Sequence, residues 1–341
     1  MLGAMRIAAL LLVVIASHAA AQGQSVVEGS VVSPTGEPLG YSTVEIAGAD
    51  ARFTSDAGHF TFTAPQPGRY GIRLKHLGFA VLDTAVTVTG PGKIAVRFTL
   101  QPIAIHLATV QVREKNKCGA ARTPGSDLYI ALEELRKNAE RDRILRNSYP
   151  FIYKLARRYD SFSQGGNAVP VAKQDTVAFE STTRNDYRPG DIFQPAERGS
   201  NATREVRIPS LSDLADEAFL RNHCFSFGGV ENVGDFVAYR LDFRPAPNIS
   251  NPDFEGSAFL DTATYMIRRI EFKITHPERA HVSALSVRTI FKELFPGVAL
   301  FYTVHGVQPM GKYDLVEDQK LVEVNFLRGS PFQSPQSKVN Q

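Results

Sequence analysis

The chain has 341 residues, of which 43% are hydrophobic and 21% charged, so two domains with apolar cores are expected. Its 38 basic and 35 acidic residues give a net charge of +3. This balance, together with the lack of a basic run interleaved with aromatic residues, argues against a nucleic-acid-binding surface. We therefore predict no nucleic-acid partner.

The first residues have the pattern of a secretory signal peptide. Arg6 precedes an apolar run over 7–16, and Ala19-Ala20-Ala21 supplies the small residues of a cleavage site. We predict a signal peptide over 1–21 and a mature chain that begins at Gln22. The alternative is a membrane anchor, but the apolar run is shorter than the roughly 20 residues that span a bilayer. No later stretch predicts a transmembrane helix.

Short apolar alternations separated by Gly, Pro, Asp and Ser occupy residues 25–101. Alternation with period two in segments such as Val26–Val32 and His59–Thr63 predicts strands. Pro34-Thr35-Gly36 and Asp56-Ala57-Gly58 predict turns between strands. We expect about seven strands arranged as a small antiparallel β-sandwich.

Several motifs of this segment resemble the carboxypeptidase regulatory-like domain, a transthyretin-like β-sandwich. The resemblance rests on Gly29-x-Val31, Gly36-x-Pro38-Leu39, Val44-x-Ile46, Thr54-x-Asp56-x-Gly58-x-Phe60-x-Phe62, Pro67-Gly68-x-Tyr70 and Leu77-Gly78-Phe79. This domain is found next to metallocarboxypeptidases and at the N-terminus of outer-membrane receptors of bacteria related to Bacteroidetes. The chain departs from both patterns, because neither a carboxypeptidase catalytic domain nor a receptor plug and barrel follows. The resemblance implies a docking or spacer module in the bacterial envelope.

We predict a linker between two domains over 102–126, because residues 114–126 are polar and contain Gly119, Pro124 and Gly125. Within them, Leu107–Val112 resembles the extended segment that follows the domain in those receptors. Ser126 is a suitable helix N-cap, and we predict a helix from Asp127 to about Arg146. Apolar residues at helical spacing support this helix: Leu128, Leu132, Leu135 and Ala139.

Glu133 and Glu134 are adjacent carboxylates on the predicted helix. Paired carboxylates can act as general acid and base. The interpretation that we favour is a solvated helical face on which they pair with Arg136 and Lys137.

Strand patterns recur in the second half of the chain. The predicted strands are Tyr149–Tyr159, Thr176–Asn185, Thr203–Ile208, Phe225–Gly228, Phe236–Phe243, Phe254–Leu260, Tyr265–Thr275, Val282–Leu294, Ala299–His305 and Lys312–Leu327. Ser210–Leu220 predicts a short helix between them. Pro296-Gly297 predicts a hairpin turn.

Part of this region weakly resembles the periplasmic lipoprotein carriers. The motifs are Val237-x-Tyr239-x-Leu241-x-Phe243-x-Pro245 and Phe254-x-Gly256-x-Ala258-x-Leu260-Asp261-x-x-Thr264-Tyr265-x-Ile267. The resemblance implies a half-open antiparallel barrel, covered by a helix, whose cavity could hold an acyl chain. The alternative is a closed β-domain in which the Phe residues only fill a core.

The predicted fold class is therefore mostly β. A seven-stranded β-sandwich over 25–101 precedes an α+β domain over 127–330 with a large curved antiparallel sheet. Residues 331–341 are polar, and we predict a disordered tail there.

The chain has two cysteines, Cys118 and Cys224. An exported protein reaches an oxidising compartment, so the two could form one disulfide that ties the linker to the second domain. The alternative is two separate thiols. A catalytic cysteine is disfavoured, because no His-containing signature surrounds either residue and His223 only precedes Cys224.

No motif in the sequence predicts a catalytic, cofactor-binding or metal site. His276 and His281 are five residues apart with Pro277 and Glu278 between them, which is not a metal-ligand spacing. Asp261 follows a predicted strand, where an Asx-turn is the favoured role over catalysis.

These observations predict a non-catalytic exported protein, in the periplasm or associated with the outer membrane. We expect a binding or accessory role in which the C-terminal β-domain binds an outer-membrane protein or a lipidic ligand, with no cofactor. One alternative is a structural module of an outer-membrane assembly. Another is a hydrolase of unknown class, because catalytic triads are spatial arrangements that a sequence does not display.

Overall fold

A computed structural model describes residues 24–105, 118, 124–163, 168–183, 187–195, 204–280 and 284–332. The predicted signal peptide, the segment Leu107–Val112, His281 and residues 333–341 of the predicted tail lie outside the described residues. Among those described, no helix is both long enough and apolar enough to cross a membrane.

The N-terminal strands form two sheets. They are β1 (Ser25–Val32), β2 (Thr43–Ile46), β3 (Arg52–Phe53), β4 (His59–Ala64), β5 (Gly68–Lys75), β6 (Leu82–Val88) and β7 (Gly92–Thr99). One sheet has the order β4-β1-β7 and the other β3-β2-β5-β6. Burial alternates strictly along β4, because successive side chains point to opposite faces. Val31, Val44 and Leu74 are fully buried in the shared core, which confirms the predicted seven-stranded sandwich. The sandwich is not antiparallel throughout, because β1 and β7 pair in parallel.

The turn before β4 requires a glycine at position 58. Gly58 has a φ of +73°, which L-residues rarely adopt, and a Cβ there would lie 2.5 Å from the carbonyl oxygen of Val31. Asp56 of the same turn accepts a hydrogen bond from the backbone N–H of Ala57 at 2.8 Å. The structure therefore confirms the predicted turn over Asp56-Ala57-Gly58.

A nine-stranded antiparallel sheet dominates the C-terminal region. Its strands are β8 (Phe151–Ser163), β9 (Ala168–Glu180), β12 (His223–Val233), β13 (Phe236–Pro245), β14 (Phe254–Asp261), β15 (Ile267–Ile274), β16 (Ser286–Phe295), β17 (Val298–Met310) and β18 (Tyr313–Phe326). Their order is β12-β13-β14-β15-β16-β17-β18-β8-β9. The remaining elements are the helices α1 (Asp127–Ser148), α2 (Leu211–Leu214) and α3 (Glu217–Asn222), a 3₁₀ helix (Pro277–Ala280), and the ribbon of β10 (Phe193–Pro195) with β11 (Arg204–Val206). The predicted fold class is confirmed, with two short helices in place of one over 210–220.

Helix α1 packs on one face of this sheet. Ser126 caps it by accepting a hydrogen bond from the backbone N–H of Tyr129 at 3.1 Å, as the sequence predicts. The predicted apolar stripe of α1 is buried and meets the inward side chains of the sheet in one continuous core. That core includes Leu132, Leu135, Leu241, Phe243, Phe254 and Ile267.

A second core joins the two domains at the other end of α1. Phe53 of the sandwich, Leu145 of α1 and Phe295 of β16 belong to it. Phe332 stacks on Phe295 with the ring centroids 4.6 Å apart. Phe332 lies inside the predicted tail, so the described start of that tail is packed against the domain.

Candidate functional site

The strand register aligns one polar residue from each of the nine strands. In order across the sheet, these residues are Ser226, Asp242, Ser257, Glu271, Arg288, His305, Asp318, Arg158 and Gln174. We call this set the polar row. Its sequence neighbours Phe225, Phe243, Phe272 and Val287 belong to the core against α1. Because side chains alternate along a strand, the polar row occupies the face opposite α1.

Cross-strand contacts hold the side chains of the polar row in place. Ser257 Oγ donates to Asp242 Oδ1 at 2.6 Å, and Arg288 Nε donates to Glu271 Oε1 at 2.6 Å. His305 Nδ1 lies 2.7 Å from Asp318 Oδ1. Such pairs on one face stabilise a sheet and also fix the positions of its surface charges.

Two recesses lie along the polar row. The first has a volume of about 590 Å³ and crosses β12 to β17, with Arg244, Glu255, Lys273 and Ser286 also in its lining. The second, of about 550 Å³, lies on β17, β18, β8 and β9 and includes Asp318, Arg158 and Gln174. We call the two together the cross-strand groove. Each recess has the volume of a ligand-binding cleft, and charged and polar residues together outnumber apolar ones in its lining.

Arg240 supports the polar row from the neighbouring position on β13. Its guanidinium donates to Asp242 Oδ2 at 3.1 Å and also contacts the carboxylate of Glu231. Burial lowers the pKa of Arg240, but the hydrogen bonds to Asp242 and Glu231 outweigh this effect and the pKa is raised overall. The Arg240 guanidinium therefore stays charged at physiological pH.

Two serines have hydrogen-bonding contacts of the kind that can activate a hydroxyl group. Ser257 Oγ donates a hydrogen bond to the carboxylate of Asp242, and no histidine of the described residues is hydrogen-bonded to it. One other serine, Ser42, has its Oγ 3.0 Å from His76 Nδ1, but Ser42 is fully buried and donates to the carbonyl of Leu39. In the part of the chain that the structure describes, no three His, Cys, Asp or Glu side chains are grouped to hold a metal ion.

The two cysteines lie at one end of the cross-strand groove. Cys224 lines the first recess on β12, and its Cα is 4.4 Å from that of Cys118. This Cα separation lies within the range found for disulfide-bonded cysteines, so the geometry is compatible with the predicted bridge. The disulfide stays a prediction.

The acidic pair of α1 is only partly as predicted. Glu133 pairs with Arg136 and Glu134 pairs with Lys137, as expected. The prediction of a solvated position is wrong for Glu134, which is fully buried because the sandwich covers it. The backbone N–H of Gly78 donates to Glu134 Oε2 at 3.0 Å. Burial raises the pKa of Glu134, against the opposing effect of Lys137.

The other acidic and histidine candidates lie apart from one another. Asp261 Oδ1 accepts from the backbone N–H groups of Ala263 and Thr264, which is the predicted Asx-turn. His276, at the opposite end of β15, is exposed and lies 3.5 Å from the carboxylate of Glu278.

Sequence reasoning missed the polar row. A signal was present in each strand, because polar residues such as Asp242 and Glu271 alternate with buried Phe residues. What the sequence does not display is the register that aligns the nine residues.

Comparison with known families identifies the N-terminal domain. Residues 26–101 match the family model of the carboxypeptidase regulatory-like domain, which confirms the resemblance drawn from its motifs. No curated protein matches the chain.

Solved structures provide more distant similarities. A putative outer membrane lipoprotein-sorting protein domain from Vibrio parahaemolyticus matches at 10% identity and a TM-score of 0.32, over 58% of this chain and 94% of that one. A LolA superfamily protein from Nitrosomonas europaea matches at 12% identity and a TM-score of 0.30, over 59% of this chain and 94% of that one. The 3-chlorocatechol 1,2-dioxygenase from Rhodococcus opacus 1CP matches at 13% identity and a TM-score of 0.20. The match covers 24% of this chain and 61% of the enzyme, so this chain spans less than two thirds of the enzyme's length. At these TM-scores none of the three carries an inference about fold or function.

Proposed function

We propose that this chain is an exported, non-catalytic binding or accessory protein of the bacterial envelope. In this proposal the cross-strand groove binds a protein partner through polar contacts. The observation that carries it is the polar row, in which all nine strands present polar side chains on the face opposite α1.

The chemistry of the two faces favours a protein over an acyl chain. On the α1 side, packed side chains such as Leu135, Phe243 and Phe254 fill the space that a lipid carrier would need. On the other side, an acyl chain in the groove would cover Glu271, Arg288 and their neighbours without supplying hydrogen bonds. Burying charged groups in this way is costly. A protein surface supplies both charges and backbone amides.

The sandwich then has the role of a module fixed to the binding domain. Lys137 of α1 donates hydrogen bonds to the backbone carbonyls of His76 and Phe79 in the β5–β6 loop. The predicted signal peptide and the carboxypeptidase regulatory-like domain support export to the envelope, either in the periplasm or at the outer membrane.

Two matched charge reversals test the proposed function. Arg288→Glu changes an exposed charge in the groove, whereas Lys93→Glu makes the same change on the sandwich, where Lys93 pairs with Glu28. Each full-length variant, checked for folding by circular dichroism, is used to capture partners from envelope fractions of the native cells. We expect R288E to lose a protein that the wild type and K93E retain. Equal capture by both variants, or a wild type that carries extractable lipid and no protein, would contradict the proposal.

A further inference from the structure

A separate cavity lies between the sandwich and the C-terminal domain. It has a volume of about 540 Å³. Its walls come from the β5–β6 loop around Phe79, from Arg141 of α1, from the turn over 262–266, and from Glu293 and Gly297 of the β16–β17 hairpin. Domain junctions are common positions for small-molecule sites, and the volume suits a small organic ligand.

Arg141 is the charged group of this cavity, and its hydrogen bonding is incomplete. The side chain is 98% buried, with 2% of its surface exposed. Its Nε donates to the carbonyl oxygen of Gly297, but neither Nη atom has a hydrogen-bond partner among the described residues. Burial lowers the pKa of Arg141 to about 10, so it remains a cation at neutral pH. A buried guanidinium with unused donors favours an anionic acceptor.

The hairpin turn is shaped around this guanidinium. Gly297 has a φ of +68°, and a Cβ there would lie 2.2 Å from Arg141 Nη2. Any other residue would therefore displace the guanidinium. On the opposite side, the ring of Phe53 lies 5.3 Å from Arg141 Cζ, which adds a cation–π contact.

The facing wall is equally well fixed. Tyr265 adopts a φ of +58°, which is strained for a residue with a side chain. The Asn138 side chain holds this turn by donating to the carbonyl of Tyr265 at 2.9 Å and accepting from the N–H of Ile267 at 2.9 Å. The cavity therefore has a preformed wall, with the apolar side chains of Phe79 and Met266 beside the charged one.

We infer that this cavity binds a small organic carboxylate, whose two oxygens accept hydrogen bonds from the Nη atoms of Arg141. The planar guanidinium matches a carboxylate in geometry as well as charge. The inference is independent of the cross-strand groove, because it concerns a different part of the molecule.

Glu293 limits the charge of the ligand. Its carboxylate lines the same cavity and accepts a hydrogen bond from the backbone N–H of Gly297 at 2.7 Å. Both Nη atoms of Arg141 are buried, so the inferred ligand reaches them only if the lining rearranges. In this inference the exposed Glu293 side chain is the part of the lining that turns aside. A monoanion is expected to bind better than a dianion, and removal of the Glu293 charge should tighten binding.

The test uses the full mature chain with benzoate as the probe, benzamide as its neutral analogue, and inorganic phosphate. Calorimetric titration should show saturable benzoate binding, with benzamide about 10-fold weaker or worse, as for loss of one charged hydrogen-bonding group. The Nε–H resonance of Arg141 should shift in ¹H–¹⁵N spectra. R141M should weaken benzoate binding by about 10- to 100-fold, and Glu293→Gln should strengthen it.

A second variant covers the case in which R141M does not fold. Ala263 is exposed in the turn that lines the cavity, so Ala263→Trp fills the space and leaves Arg141 intact. We expect it to abolish benzoate binding. The inference is overturned by equal affinities for benzoate and benzamide, by undiminished binding to A263W, by a preference for phosphate, or by no saturable binding at millimolar concentrations.

Discussion

Lys75 of the sandwich and Glu140 of α1 form an ion pair of 2.6 Å that joins the two domains. Lys75 Nζ also lies 2.6 Å from Glu45 Oε1, so one ammonium bridges carboxylates from two domains. A hydrogen bond from Glu140 lowers the pKa of Glu45 to about 2. Burial, and then the contact with Glu45, raises the pKa of Glu140 to about 7. At mildly acidic pH the two carboxyl groups therefore share one proton and one ammonium.

Removal of this ammonium should destabilise the folded chain. Lys75→Met leaves two facing carboxyl groups without their common cation, and we expect a loss of about 3 kcal/mol in the free energy of unfolding. Lys93→Met is the matched control, because Lys93 forms an exposed pair with Glu28. It should leave the urea midpoint unchanged. Equal midpoints for the two variants would show that the Lys75 bridge does not hold the domains together.

The bridge also predicts a pH dependence. The pKa of Glu140 in the folded state is above its ordinary value of 4.5, so its contribution to stability is complete below pH 4.5 and is lost as pH rises through 7. The pKa of Glu45 is below 4.5, so its contribution is complete above pH 4.5 and is lost as pH falls towards 2. The bridge should therefore contribute most near pH 4.5.

Glu140→Gln separates these two effects, because the amide imitates the protonated carboxyl group at every pH. We expect the stability of E140Q relative to the wild type to rise between pH 4.5 and 7 in thermal unfolding experiments. A relative stability that is flat over this interval would show that Glu140 titrates normally.

The predicted disulfide can be tested in the exported protein. Non-reducing peptide mapping should recover Cys118 and Cys224 in one linked peptide. The bridge would close a long loop, since the two cysteines are 106 residues apart, and its reduction should cost about 2–5 kcal/mol of stability. Cys118→Ser and the double Cys→Ser variant should be equally destabilised. Two titratable thiols in the exported protein would favour the alternative of separate cysteines.

The C-terminus offers a pair of matched truncations. Removal of 333–341 should not change the unfolding midpoint, because we predict a disordered tail there. Removal of 331–341 also deletes Phe332, which packs on Phe295 and Tyr41. We expect this second truncation to lower the free energy of unfolding by about 3 kcal/mol. Identical midpoints would place Phe332 outside the folded domain.

Local patterns predicted most of the secondary structure. The alternation over Phe236–Phe243 identified β13, which extends over Phe236–Pro245, because burial of one face imposes period two. Ser126 and the apolar spacing after it likewise located α1. These features depend on residues close together in the chain, which is why the sequence was sufficient for them.

Features that depend on distant residues were not predictable. The spacing of Glu134 and Lys137 is the same for an exposed pair and a buried one, and burial here comes from the loop at Gly78, 56 residues earlier. The polar row depends on eight strand registers, and a shift of one residue in any of them would turn a side chain to the other face. Arg141 has no local signal, since its partners lie on the β16–β17 hairpin and in the sandwich.

The most direct test of the groove is photocrosslinking from within it. Ser286 is exposed and lines the first recess, and Thr61 is an exposed position on β4 of the sandwich. A photoreactive amino acid is placed at each position in the full-length protein, which is then irradiated in its native cells. We predict a protein adduct from position 286 that is absent from position 61 and is lost with R288E. Adducts of equal yield from both positions, or a lipid adduct alone from position 286, would contradict the proposed binding of a protein partner.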